Sequence, residues 1–145
     1  MTPEHIIELL DLRPHPEGGR YAETYRSPPA AEGGREPVTA IYFLLRGGER
    51  SHWHKVDAAE IWFWHGGAPL ELSVWDENAG GPTLDLRLGM DLAAGQRPQG
   101  VVPPFAWQAA RSLGDWTLVS CAVAPAFRFD GFTLAPQGWA PPGST

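Results

Sequence analysis

Apolar positions along this chain follow two different periods. In TPEHIIELLDL, Ile6, Ile7, Leu9 and Leu10 recur at helical spacing. Thr2 can cap that segment, Pro3 suits its first turn, and Glu4 complements the positive end of a helix. These features predict a short packing helix within residues 1–12. Pro14, Pro16, Gly18 and Gly19 end it. From Arg20 onward the pattern alternates or runs continuously apolar in short stretches. RYAETYRS, VTAIYFLLR, SHWHKV, AEIWFWHG, LELSVWD and TLDLRLG read as strands. So do VVPP leading into WQAARS, the long WTLVSCAVA, and FRFDGFTLA. Turn signals fall about every 8–12 residues, which favours a sandwich, jelly roll or barrel over a parallel α/β sheet. The expectation is one all-β domain over residues 1–145. SPPAAEGGREP reads as a loop, and residues 137–145 (QGWAPPGST) as a flexible tail with little to order it.

Composition narrows the function classes. At 145 residues the chain can bury a core without disulfides or a structural metal. Net charge is −6 and no basic patch is visible, so nucleic acid is not an expected partner. No apolar run reaches membrane-spanning length, and the N-terminus lacks the pattern of a secretory leader. A cytoplasmic location is the expectation. Cys121, the single cysteine, lies in LVSCAVA and reads as a buried, inert thiol. The seven tryptophans suggest an aromatic core or cavity wall.

Candidate chemistry begins at His52-Trp53-His54. Alternate residues of a regular strand share a face, so both imidazoles are expected to point one way. Glu60, Trp62 and Trp64 share a face in the next strand. Two imidazoles and a carboxylate form a first-row metal set with open positions. Without metal they form an acid–base pair, since histidine titrates near neutrality and burial raises a glutamate pKa. Both readings stand at this level.

These residues carry a resemblance. GERSHWHKVDAAEIWFWHGG is similar to the first cupin motif, and GQRPQGVVPPFAWQ occupies the place of the second. Together with HPEGG, ETYRS and CAVAPAFRFDGFTLA, they resemble the cupin type 5 branch, a family of unassigned activity, over His15 to about Ala135. The resemblance implies a cupin double-stranded β-helix (jelly-roll barrel) with a short N-terminal helix, and a homodimer. It places His52, His54, Glu60 and Gln108 at a common interior pocket. Five residues separate His54 from Glu60, one or two more than the metal-binding pattern. The second motif's glycine is Phe105 and its histidine position holds Gln108. Glutamine offers only a neutral carbonyl oxygen, a weaker transition-metal ligand than imidazole.

The expected site therefore has His54 and Glu60 as catalytic groups. His52, Gln108, Trp62, Trp64, Tyr25 and Glu23 are expected to contact a small polar, sugar- or nucleotide-like ligand. Tyr25 and Glu23 read equally well as edge-strand residues in a dimer contact, with Arg26 facing the opposite way. His52, His54, Glu60 and Gln108 are the candidate ligands of one divalent transition metal; no cofactor is fixed by the sequence. His65 reads as a rim residue, Asp57 as a turn residue, Arg97 and Arg111 as structural, and Gly18 and Gly19 as serving a turn. Three functions fit: an acid–base isomerase or epimerase, a metal-dependent cupin enzyme, and a non-catalytic binding module.

Overall fold

The computed structural model describes residues 1–143. Ser144 and Thr145, the end of the expected tail, lie outside the described residues. The helix α1 spans Pro3–Leu10; the Thr2 hydroxyl accepts from the His5 amide at 3.2 Å, and Asp11 closes the helix in the left-handed region. Eleven strands follow among the described residues. They are β1 (Arg13–Pro14), β2 (Arg20–Arg26), β3 (Thr39–Arg46), β4 (Arg50–Val56), β5 (Ala59–Gly67) and β6 (Leu70–Trp75). The rest are β7 (Leu84–Leu88), β8 (Gln99–Val102), β9 (Trp107–Ser112), β10 (Trp116–Ala124) and β11 (Phe132–Leu134). One sheet runs β1-β2-β3-β10-β5-β8 and the other β11-β4-β9-β6-β7. The long-strand pairings are antiparallel. No helix among the described residues is long and apolar enough to cross a membrane.

Side-chain polarity divides the barrel into two ends. On β3, Leu45 and Phe43 point into an apolar core, and Ile41 and Thr39 line a cavity further along. On β10, Val119 belongs to the core, Val123 to the cavity, and Cys121 to both. On β5, Trp62 sits in the core and Glu60 in the cavity. One inward face thus packs Leu70, Leu72, Leu88 and Val102 as a dry plug at one end and opens at the other. Burial of the plug's apolar side chains, each contributing about 1.5–3 kcal/mol, holds the two sheets together. That rigid plug fixes where the polar end sits.

Two segments outside the strands make specific contacts. Arg35, in the loop between β2 and β3, makes a bidentate pair with Asp57 at 3.0 and 2.8 Å and donates to the Ala126 carbonyl. Asp57 is thus more than a turn residue. The tail packs through Trp139, whose ring lies 4.6 Å from Trp107 and 6.3 Å from both Trp53 and Trp75. Those aromatics form a separate cluster on the outside of the second sheet.

Candidate active site

The cavity at the polar end has a volume of about 170 Å³. Its acid–base groups are His15, Glu17, His54 and Glu60; Ile41, Val56, Val123, Phe127 and Phe129 supply apolar wall, and Glu23 and Arg26 also line it. A broader external groove of about 780 Å³ runs past Arg50, Glu71, Asp85 and Arg111. Several of its polar groups are already paired: Arg111 with Glu71 at 3.0 Å and Ser73 with Asp85 at 2.7 Å. The smaller cavity is where acid–base groups converge.

Glu60 enters from β5 and is 7% exposed. Gln108 of β9 donates from Nε2 to Glu60 Oε1 at 2.9 Å, and Trp62 Nε1 donates to Gln108 Oε1 at 2.9 Å. The indole N–H can only donate, so it fixes which end of the amide faces Glu60. Burial pushes the Glu60 pKa up to about 7; the nearby Glu17 carboxyl adds to the rise, while His54, Gln108 and the Cys121 thiol oppose it. Burial likewise lifts the Cys121 thiol well above its usual range, so it stays protonated.

His54 is 2% exposed, and its Nδ1 donates to the His52 carbonyl at 2.7 Å. That bond leaves Nε2 as the free nitrogen, 3.5 Å from Glu17 Oε2. Burial holds the ring below the ordinary histidine range, so it is neutral.

Glu17 completes the arrangement from the turn before β2. Its side chain is 9% exposed, and Ser51 Oγ donates to its Oε2. Burial raises its pKa to about 8, against the opposing Ser51 bond. His15 Nδ1 accepts the Glu17 backbone N–H at 3.2 Å and also lies 3.2 Å from Glu17 Oε1. An accepting nitrogen against a carboxylate would repel. A proton on the carboxyl makes the approach favourable, in agreement with the raised Glu17 pKa and with a His15 pKa lowered to about 4 by burial and by His54. Neither contact is therefore an ion pair, and the single carboxyl proton of Glu17 can serve only one of the two ring nitrogens at a time.

Strand parity brings His54 and Glu60 together but fails for their neighbours. The pairing of β4 with β9 slips between Ser51 and His54, placing one extra residue in β4. Ser51 and His54 consequently both turn inward, and His52 turns out, donating from Nε2 to the Pro136 carbonyl at 3.0 Å. His52 is not a cavity residue. A second slip, between β2 and β3 at Thr24, has the same effect. Glu23 and Arg26 line the cavity together, bonded at 2.8 Å, while Tyr25 is 55% exposed on the outside. Trp62 and Trp64 do face inward, but into the plug; Trp64 Nε1 donates to the Ala68 carbonyl. The aromatic wall of the cavity is made of Tyr21, Phe127 and Phe129. A third bulge, in β5, leaves His65 exposed beside Ser120 Oγ at 2.6 Å. Arg97 is occupied by the carbonyls of Leu92 and Gln96.

The candidate metal set is not assembled. His52 is engaged outside, and the Gln108 oxygen is taken by Trp62. Among the described residues no group of three or more His, Cys, Asp or Glu side chains stands in metal-ligating geometry. The residues present do not fit a three-ligand cation site.

His15 and Glu17 escaped the sequence reading because parity says nothing of turns. The available signal was HPEGG itself. Gly18 and Gly19 both have positive φ, and a Cβ on Gly18 would collide with the Arg50 carbonyl. Only a glycine lets this turn press against β4 so that the Glu17 side chain enters the barrel.

A short helix ahead of two antiparallel sheets, closed around an acid-lined interior, is the architecture of a cupin barrel. The chain belongs to the cupin superfamily family described as Cupin_5, Cupin superfamily (DUF985), whose model matches residues 4–135. It is similar to a crystal structure of a protein from Shewanella oneidensis: 40% identity, 94% of this chain and 86% of that one, TM-score 0.88. A hypothetical protein from Leishmania major is 33% identical over 94% of this chain and 89% of that one, with a TM-score of 0.84. An oxalate decarboxylase of B. subtilis shares 12% identity over 86% of this chain and 30% of that one, at a TM-score of 0.63, which is a likeness of fold alone. No curated protein matches the chain.

Proposed function

We propose that this cupin is an acid–base enzyme of the isomerase or epimerase kind, moving a proton at a carbon next to a carbonyl without redox chemistry. One observation carries the reading: two buried carboxyl groups with pKa values raised to about 7 and about 8 line one cavity beside a neutral imidazole of fixed tautomer. Between those values the carboxyl pair holds a single proton. Glu60, with the lower value, is the base that takes the proton from carbon. The protonated Glu17 is the acid that gives one to the carbonyl oxygen, leaving a neutral enol. His54 Nε2 accepts a hydrogen bond from the substrate or the Glu17 proton. Return of a proton to the opposite face epimerises the carbon, and return to the adjacent carbon isomerises the compound. Near neutral pH this pairing sets each group close to the pKa that general acid–base catalysis favours.

Size limits the ligand. An apolar cavity of about 150 Å³ holds one benzene-sized ring, so about 170 Å³ accommodates a single sugar-like ring or small keto compound. Any nucleotide portion would extend beyond the cavity past Glu23 and Arg26.

The test is proton exchange in deuterated water, followed by NMR on a panel of small keto-sugars and cyclic ketones. Wild-type protein is expected to place deuterium next to the carbonyl of at least one compound, with a bell-shaped pH dependence bounded by the two carboxyl pKa values. Glu60→Gln is expected to abolish it. Exchange no faster with wild type than with Glu60→Gln across the panel would remove the reading for those substrates.

A further inference from the structure

His15 lines the cavity, yet the proton transfer described above gives it no part. The backbone sets the state of its ring. The Glu17 amide donates to Nδ1 at 3.2 Å, and an amide N–H cannot reverse its role. Nδ1 therefore accepts, and the ring proton sits on Nε2. His54 is the opposite tautomer, with its proton on Nδ1. The His15 side chain is 4% exposed, and its Nε2 has no hydrogen-bond partner among the described residues. Aromatic rings surround it: Tyr21 at 4.5 Å, Phe43 and Phe132 at 6.0 Å, Phe129 at 6.3 Å and Phe127 at 6.4 Å. Among the described residues no side-chain nitrogen or oxygen is sealed away without a partner, so this N–H opens onto the cavity that the ring lines. Nδ1 lies 3.2 Å from Glu17 Oε1, so Nε2, on the far side of the ring, faces away from that carboxyl.

We infer that His15 is a substrate-binding residue whose Nε2–H donates to an uncharged oxygen of the substrate, separate from the carbonyl oxygen that Glu17 protonates. The substrate is then a small ring ketone with a second acceptor, such as a ring ether, a hydroxyl or another carbonyl. A ligand that fills the cavity strips this N–H of other acceptors. A methylene placed there leaves it unpaired, whereas an oxygen satisfies it, and a site of this kind rejects the analogue that lacks the group. The ring itself stays neutral, because burial and the neighbouring His54 hold its pKa at about 4. An anionic oxygen would find no free cation beside it. Arg26 already serves Glu23, Glu36 and the Phe127 carbonyl. Phe127 and Phe129, next to His15, take the apolar edge of the ligand ring.

This inference rests on the acid–base reading for the carbonyl end, so its test measures binding without turnover. Tetrahydropyran-4-one and cyclohexanone differ by one ring member, an ether oxygen against a methylene. In NMR titrations wild type is expected to bind the ether ketone roughly fivefold or more tightly than cyclohexanone. The His15 Nε2–H proton is expected to shift with the ether ketone and not with cyclohexanone. His15→Phe keeps a ring and removes the donor, and is expected to bind the two ketones equally. If His15→Phe loses both ligands, the turn has moved and the wild-type proton decides: a shift with the ether ketone alone supports the contact, and no shift overturns it. Equal wild-type affinities, or a preference that persists in His15→Phe, would also overturn it. Deuterium exchange into ketones without the preference would sink this inference and leave the acid–base reading standing. The preference without exchange would do the reverse.

Discussion

Gln108 holds Glu60 in a single hydrogen-bonding sense: Nε2 donates to Oε1 at 2.9 Å because Trp62 occupies the amide oxygen from the other side. The donation favours the ionised carboxylate and opposes the rise that burial imposes. Gln108→Leu removes the donor at similar volume. The Glu60 pKa is then expected to rise further, by about one unit for the loss of a hydrogen bond to a charged group. Trp62→Phe frees the amide to flip, and its carbonyl would then face the carboxyl and favour the protonated form. Infrared titration of the carboxyl band reads both shifts without any substrate. An unmoved Glu60 titration in both variants would mean that the amide does not control the acid.

The raised Glu17 pKa has a consequence for stability. The folded chain holds this proton up to about pH 8, whereas an unfolded glutamate releases it near 4.5. The native state therefore binds more protons than the unfolded state in that window, and stability falls as pH rises through it. Glu60 contributes the same sign up to about pH 7. His15, with its pKa lowered to about 4 from 6.5, contributes the opposite sign, and only below pH 6.5. Between pH 7 and 8 Glu17 dominates, and wild type is expected to lose about 1 kcal/mol across that unit. Glu17→Gln has no proton to release, so its urea midpoint should stay nearly flat there. A variant slope equal to that of wild type would place the titration elsewhere.

Much of the barrel could be read from the sequence because alternation is a local property. The shared parity of Glu60, Trp62 and Trp64 in AEIWFWHG holds in β5, where all three side chains face inward. Bulges are not local in this sense. Nothing in SHWHKV distinguishes a regular strand from one with an extra residue, yet that residue decides whether His52 joins His54 or the tail. The same holds for ETYR, where Tyr25 and Arg26 exchange faces. The site's second carboxyl lay in a turn, where only its glycines announced a special backbone. The packing of Trp139 was unreadable for another reason: it has no periodic neighbours, and its partners are tryptophans on three distant segments.

Those tryptophans make the tail testable. Trp139→Ala removes a half-buried indole from Trp53, Trp75 and Trp107. The expected loss is roughly 1–3 kcal/mol, below that of a fully buried tryptophan. Thermal unfolding should show a drop of several degrees, and hydrogen exchange should speed up in residues 136–143. Unchanged exchange there would mean that the indole does not anchor the segment.

The turn that delivers Glu17 gives a sharper comparison. Gly18 and Gly33 both have positive φ, at 111° and 74°. A Cβ on Gly33 meets nothing within 4 Å, whereas one on Gly18 strikes the Arg50 carbonyl. Gly33→Ala is expected to cost only the left-handed backbone penalty, about 1–2 kcal/mol. Gly18→Ala must also push the turn away from β4, breaking the bond from the His52 amide to the Glu17 carbonyl at 2.7 Å. Its cost is expected to exceed that of Gly33→Ala by at least about 1 kcal/mol, since a forced backbone shift is added to the strain. The displaced turn also withdraws Glu17 from Ser51 and His54, so the steep loss of stability between pH 7 and 8 should soften in Gly18→Ala and persist in Gly33→Ala. Equal urea midpoints and equal pH slopes for the two variants would show that close approach to β4 is not what seats the second carboxyl.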